Sequence, residues 1–150
     1  MRALVRRVSR ACVKVEEQVV GQIDQGLLIY LGIHQDDEPT DLDWLIQKIL
    51  GLRIFEDEDG KLNLSILPEQ GILLISQFTL FGNLKKGYRP SFKRAANPKK
   101  GKEFFDLFQS KLGGLFKGNL ASGVFGADMK IVAIDEGPVT IWIDSQERNY

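Results

Sequence analysis

Two hydroxyls and an amide, Ser76, Gln77 and Thr79, close an apolar run at residues 71–75, and Phe78 stands among them. Polar side chains at the end of a buried strand either face a ligand or close a turn. A serine or threonine hydroxyl is a weak nucleophile at its natural pKa and needs a base beside it. The chain has one histidine, His34, next to Asp36 and Asp37. A Ser-His-Asp or Cys-His arrangement would have to use it, yet no serine or cysteine is near it in sequence, and it reads as a loop residue. The one cysteine, Cys12, falls inside an alternating stretch and reads as a small core residue. One cysteine per chain excludes an internal disulfide framework and a cysteine metal site. Neither a GxGxxG nor a P-loop is present, and Asp57 and Asp59 beside Gly60 lack the distal glutamate of a calcium loop. No metal and no cofactor is expected. On residue types alone, Ser76 and Thr79 stay open between nucleophile, ligand contact and strand end.

Charge separates along the chain while summing to zero. Residues 36–59 hold nine acids against Lys48 and Arg53; residues 82–102 hold eight bases (Lys85, Lys86, Arg89, Lys93, Arg94, Lys99, Lys100, Lys102) and no acid. A neutral protein with one basic segment suits a local phosphate contact better than long-range attachment to a duplex, so no DNA partner is expected. Three of the bases follow Pro98 at the start of a helical pattern, where cations oppose the helix dipole by roughly 0.3–1 kcal/mol each. Folding gains nothing from that placement and a phosphate ligand would. Arg7 stands out for another reason: by alternation it shares a face with Val5, and an arginine there reaches a carboxylate, a carbonyl or a ligand, or snorkels to water.

The elements that must position these residues follow from periodicity. Residues 2–16 alternate as a strand with a phase change near Ser9, the mark of a bulge. Residues 19–23 form a second strand, and 26–33 a third, apolar throughout and buried on both faces. Thr40 with Asp43 has the form of a capping box, and Leu42, Leu45, Ile46, Ile49 and Leu50 repeat at helical spacing up to Gly51. A turn sits at Asp59-Gly60. Residues 71–80 read as a strand, with Ser76, Phe78 and Leu80 on one face and Gln77 and Thr79 on the other. Asn97-Pro98 opens a second helix, whose stripe is Phe104, Phe105, Phe108 and Leu112 and whose break is Gly113-Gly114. Residues 124–134 and 139–144 read as two closing strands joined by "DEGP". Strands, helix, strands, helix, strands predict an α+β fold: a curled, barrel-like antiparallel or mixed β-sheet with two packed α-helices. The length of 150 residues predicts one domain, 1–150. No apolar run approaches a membrane span and no signal-peptide core follows the basic start, so a cytoplasmic protein with no membrane partner is expected.

The chain closely resembles the D-aminoacyl-tRNA deacylases, also called D-tyrosyl-tRNA deacylases. The resemblance spans nearly the whole length and is carried by "MRALVRRVSRACVKVEEQVVGQIDQGLLIYLGI" at the start, "SQFTLFGNLKKGYRPSF" from Ser76 to Phe92, and "GADMKIVAIDEGPVTIWI" from Gly126 to Ile143. The family pattern N-x-G-P-x-T has asparagine where this chain has Asp135; Gly137, Pro138 and Thr140 match.

What the resemblance implies is specific. The activity is hydrolysis of the ester joining a D-amino acid to the 3′-terminal adenosine of tRNA, with glycyl-tRNA also a substrate and L forms rejected. The catalytic stretch is Ser76, Gln77, Phe78 and Thr79; Arg7, Phe125 and Met129 contact the substrate. Gly137-Pro138 is a cis peptide that enters the active site of the other subunit of a homodimer and excludes L side chains. Lys85, Lys86, Arg89 and Lys99 contact the acceptor end of the tRNA. On this view the backbone N–H groups at Phe78 and Thr79 hold the ester oxyanion, and the terminal 2′-hydroxyl of the substrate takes the place of a side-chain base. Three other readings fit the residues: a non-catalytic RNA-binding module, an esterase with Thr79 as nucleophile, and a purely structural dimer.

Overall fold

The fold is built on one long strand. In the computed structural model, which describes residues 1–149, β1 (Arg2–Val15) pairs antiparallel with β2 (Gln18–Ile23) through its second half and with β3 (Gly26–Gly32) through its first. Its other edge pairs along nearly its whole length with the last strand, β8 (Lys130–Asp144). β3 continues the sheet in parallel to β6 (Gly71–Ser76), and β6 in parallel to β7 (Asn119–Ser122). The result is a mixed six-stranded sheet that nearly closes on itself: a Cβ on Gly21 of β2 would stand 2.8 Å from the Ser122 carbonyl oxygen of β7. A separate hairpin of β4 (Phe55–Glu56) and β5 (Leu62–Leu64) carries the turn expected at Asp59-Gly60. This is the α+β, barrel-like architecture with two helices that the periodicity predicts. The expected domain runs to Tyr150, which lies outside the described residues.

Two cores follow from the two faces of the sheet. β3 supplies Leu27, Ile29 and Leu31 to one and Leu28 to the other; β6 supplies Ile72 and Leu74 to the first and Leu73 and Ile75 to the second. The second core fills the barrel with Val8, Ala11, Val13 and Ile23. The first is covered by α1 (Pro39–Leu50), through Leu42, Leu45, Ile46 and Ile49, and by α2 (Pro98–Leu115), through Phe105, Phe108 and Leu112. Lys111 of α2 bonds Asp43 of α1 at 2.6 Å.

Several expectations need correction. The capping box of α1 is Glu38 with Asp41, two residues earlier than Thr40 with Asp43, because Pro39 takes the first helical position. The strand expected over residues 71–80 ends at Ser76, and Phe78–Phe81 is a short 3-10 helix. α2 runs through Gly113 and Gly114 to Leu115. Residues 124–129 lie outside β8, and "DEGP" does not join two strands: it sits inside one. The reason is in the pairing. Arg6 faces Thr140 and Val8 faces Asp135, so residues 136–139 bulge out of β8 opposite Arg7 alone. Within the acidic segment Asp37 is buried, takes a hydrogen bond from the His34 N–H at 2.6 Å and pairs with the Met1 amino group at 2.5 Å. Among the described residues no helix is long and apolar enough to cross a membrane.

Phe108 is wholly buried between α2 and the sheet. Phe108→Ala should lower the stability by about 3–5 kcal/mol, read as a shift in the urea midpoint with an unchanged slope; a loss under about 1 kcal/mol would mean that α2 does not cover the core as described.

Candidate functional site

The end of β6 sets the site. Its parallel ladder with β3 stops at Leu31 and Ser76, and the Gln77 N–H gives one last bond to the Leu31 carbonyl at 2.7 Å. The chain then winds into the 3-10 turn. The first N–H groups of any such turn have no partner inside it, and among the described residues those of Phe78 and Thr79 have no backbone partner outside it. Two free donors therefore lie at the mouth of a buried strand. The Thr79 hydroxyl accepts a hydrogen bond from the Gln77 side-chain amide. Among the described residues neither it nor the Ser76 hydroxyl is bonded to His34 or to a carboxylate; His34 packs on Phe81 with ring centroids 5.1 Å apart and takes the Asp36 N–H on Nδ1.

Above this strand end lies an apolar cleft of about 540 Å³. Ser76, Gln77 and Phe78 line its base, and Phe92, Ala95, Gly101, Phe125, Met129 and Ile131 line the rest. Two glycines make room for this lining. A Cβ on Gly101 would come within 3.1 Å of the Phe125 ring, and one on Gly123 within 2.5 Å of the Met129 sulfur, so each backbone is bare where a cleft residue leans on it. Phe78 meets Phe92 edge to face at 5.1 Å. The structure thus gathers Ser76, Gln77, Phe78, Phe125 and Met129 around one space; Thr79 is exposed beside it and is not part of the lining.

Arg7, Gly137 and Pro138 lie elsewhere. The Gly137-Pro138 peptide is cis and sits on the bulge of β8, with both residues exposed. Gly137 has φ 123°, a conformation L side chains rarely adopt, and a Cβ there would stand 2.9 Å from Val139 Cγ2. Beneath the bulge Arg7 is buried, and donates to the Glu136 carbonyl (3.1 Å), the Ile54 carbonyl (2.8 Å) and Glu56 Oε1 (3.4 Å). It props the Gly137-Pro138 segment rather than facing the cleft of its own chain. Asp135, just before the bulge, holds Arg6 by two bonds of 2.9 and 2.7 Å, and this carboxylate raises the Arg6 pKa above its ordinary value. That two-point grip uses both carboxylate oxygens, an acceptor role that an asparagine could fill only at one atom.

The basic segment is divided by the structure. Lys100 donates to the Gln35 carbonyl at 2.6 Å and lies over the Phe104 ring, and Lys102 pairs with Asp106 at 2.5 Å. Those three contacts offset the unfavourable dipole, contrary to the expectation that folding gains nothing there. Among the described residues Lys85, Lys86, Arg89, Lys93, Arg94 and Lys99 form no ion pair. Five of them line a second cleft of about 300 Å³ with Asn83 and Ser91. Residue types alone miss Lys93 and Arg94 as cleft residues, and miss Arg2, which joins Asp144 (2.7 Å) to the Leu80 carbonyl (2.9 Å) and lies over the Phe81 ring, bracing the 3-10 turn. The one signal for Arg2 is a charge at the start of an otherwise alternating strand.

Comparison with known proteins fits this arrangement. The sequence model of the family described as D-Tyr-tRNA(Tyr) deacylase matches residues 4–144. A D-aminoacyl-tRNA deacylase of Kosmotoga olearia is 51% identical over 149 residues, 99% of each chain. One from Thermotoga petrophila is 49% identical, over 98% of this chain and 99% of its own. Among solved structures, one titled c-Myc DNA Unwinding Element Binding Protein superposes with a TM-score of 0.89 at 36% identity, covering 96% of this chain and 98% of that one. A probable eukaryotic D-amino acid tRNA deacylase shares the fold, with a TM-score of 0.81 at 18% identity over 95% and 97%. With the family model matching residues 4–144 and a relative at half identity over nearly the whole chain, the chain belongs to the D-Tyr-tRNA(Tyr) deacylase family, hydrolases of the aminoacyl-tRNA ester bond.

Proposed function

We propose that the chain removes D-amino acids from mischarged tRNA in the cytoplasm, sparing the L forms and accepting glycine, and that it works as a homodimer on the acceptor end of the tRNA. The observation that carries the reading is the apolar cleft whose base, Ser76, Gln77 and Phe78, runs into two backbone N–H groups with no backbone partner. Those N–H groups suit the oxygen of an ester that becomes negative when water adds to the carbonyl; one such donor is worth about 2.7–4 kcal/mol in other hydrolases. The terminal ribose carries a 2′-hydroxyl next to the ester, which orients or activates the water. The ester C–O bond breaks, the ribose 3′-oxygen takes the proton, and the free amino acid leaves. No side-chain nucleophile is needed.

Selectivity belongs to Gly137 and Pro138. They stand on the outer bulge of β8 and take no part in the lining of their own cleft, so the reading has them enter the cleft of a second subunit. β8 supports such a pairing. Its outer edge has no strand partner among the described residues, and Val132, Ile134 and Trp142 are exposed along it. A long open apolar edge in a single copy is an association site. A filter of backbone atoms occupies the place of an L side chain whatever that side chain is, and it has nothing to clash with in glycine.

Matched D- and L-tyrosyl-tRNA assayed side by side should differ by at least about a hundredfold in kcat/KM, with glycyl-tRNA hydrolysed; equal rates on the two tyrosyl esters would contradict the reading. Thr79→Ala removes a hydroxyl but no backbone donor, so it should keep about a tenth of the activity or more, a loss of no more than about 1.4 kcal/mol; complete loss with a trapped acyl-threonine in the parent would make Thr79 the nucleophile. Sedimentation at assay concentration should show a dimer, and a fully active monomer would rule out sites completed by a second subunit.

A further inference from the structure

Most side chains of the second cleft are cations without an ion-pair partner among the described residues. Lys85, Lys86, Arg89, Lys93 and Arg94 surround about 300 Å³ with no acid bonded to any of them among the described residues. Like charges at this density repel, and exposed lysines free to move would spread apart. The backbone keeps them together. The Asn83 and Ser91 backbones exchange two bonds of 2.9 Å, closing residues 83–91 into a loop with a fixed neck, and the Lys85 N–H is turned inward onto Asn83 Oδ1 at 2.8 Å. Past the neck, the Gln35 N–H bonds the Arg94 carbonyl at 3.0 Å and the Ala96 N–H bonds the Ile33 carbonyl at 2.9 Å, fastening the segment to the end of β3. A cation cluster held in place at both ends is preorganised for an anion.

Its position says which anion. Residues 91–95 are a wall between the two clefts: Phe92 and Ala95 face the apolar one, Ser91, Lys93 and Arg94 the basic one. A nucleotide chain whose last nucleoside lies in the apolar cleft would have its preceding phosphates on the far side of that wall. Tyr88, fully exposed on the same loop, adds an aromatic face of the kind on which unpaired bases stack.

We propose that this cleft is a phosphate subsite that takes the one or two phosphodiesters just 5′ of the terminal adenosine, with Lys93 and Arg94 as its inner cations. It reads the charge of a single-stranded end and not its bases. The subsite rests on the deacylase reading for its substrate, but its occupancy can be measured without catalysis.

The test uses the full-length protein and Lys93→Gln/Arg94→Gln, whose side chains carry none of the backbone bonds above. A fluorescent, unacylated single-stranded RNA ending in CCA is titrated by anisotropy across a salt series. The variant should bind at least about tenfold more weakly, and its plot of log affinity against log salt should flatten by about 0.7 for each phosphate it no longer neutralises. A DNA oligomer of the same sequence should behave as the RNA does. In turnover, the ratio of kcat/KM for D-tyrosyl-CCA over the phosphate-free D-tyrosyl ester of adenosine should fall at least about tenfold in the variant, since only the first substrate reaches the subsite. Unchanged RNA binding, an unchanged ratio, or failure to bind the DNA oligomer at all would overturn the subsite. If wild type hydrolyses neither ester, the deacylase reading falls while the binding titration still decides the subsite.

Discussion

A guanidinium shut away from water must be surrounded by acceptors, since an uncompensated buried charge costs several kcal/mol. Arg7 meets that demand with two backbone carbonyls and one carboxylate, and the demand organises this end of the molecule. One carbonyl belongs to Glu136, in the bulge of β8; another belongs to Ile54, at the approach to the small hairpin. The bulge lies on β8: Arg6 and Val8 pair with Thr140 and Asp135, and the four residues between those two stand opposite Arg7 alone. Gly137 and Pro138 stand outside the sheet as a result, propped from beneath by a charged group that has nowhere else to go.

The proposed catalytic side follows a similar logic. A strand ends where its ladder ends, at Leu31 and Ser76, and the turn that follows leaves two N–H groups without backbone partners. Arg2 fixes that turn to the last residues of β8. Strand β1 therefore holds both halves of the proposed machinery, Arg2 the oxyanion side and Arg7 the selective side, on one continuous element. In the proposed mechanism backbone groups do the recognition, and side chains hold the backbone still. That division explains why the sequence offers no usable catalytic triad.

Local patterns make much of the fold legible. Residues 26–33 announce a strand covered on both faces because no charged residue interrupts them before His34, and the helical spacing of Leu42, Leu45, Ile46 and Ile49 places α1 correctly. What local patterns miss is decided by distant partners. Gln77, Phe78, Thr79 and Leu80 alternate as well in a 3-10 turn as in a strand, and only the end of β3 tells them apart. Gly137-Pro138 reads as a turn unless β1 is known to run on beside it. Phe125 and Met129 follow only from resemblance to a family, since nothing in their spacing marks a cleft; bare backbone at Gly101 and Gly123 is what admits them. Lys93 and Arg94 are visible in the sequence as charges, but the wall they form depends on bridges to Asn83 and to β3.

On this mechanism the substrate supplies the reactive hydroxyl and the protein supplies only backbone donors and shape. Single-turnover hydrolysis of D-tyrosyl-tRNA ending in 2′-deoxyadenosine, compared with the ribose form at saturating wild-type enzyme, tests it directly. The expected result is a fall of at least about a hundredfold, about 2.7 kcal/mol or more in the barrier, with binding little changed. Equal rates on the two substrates would contradict it and return the search to a side-chain nucleophile.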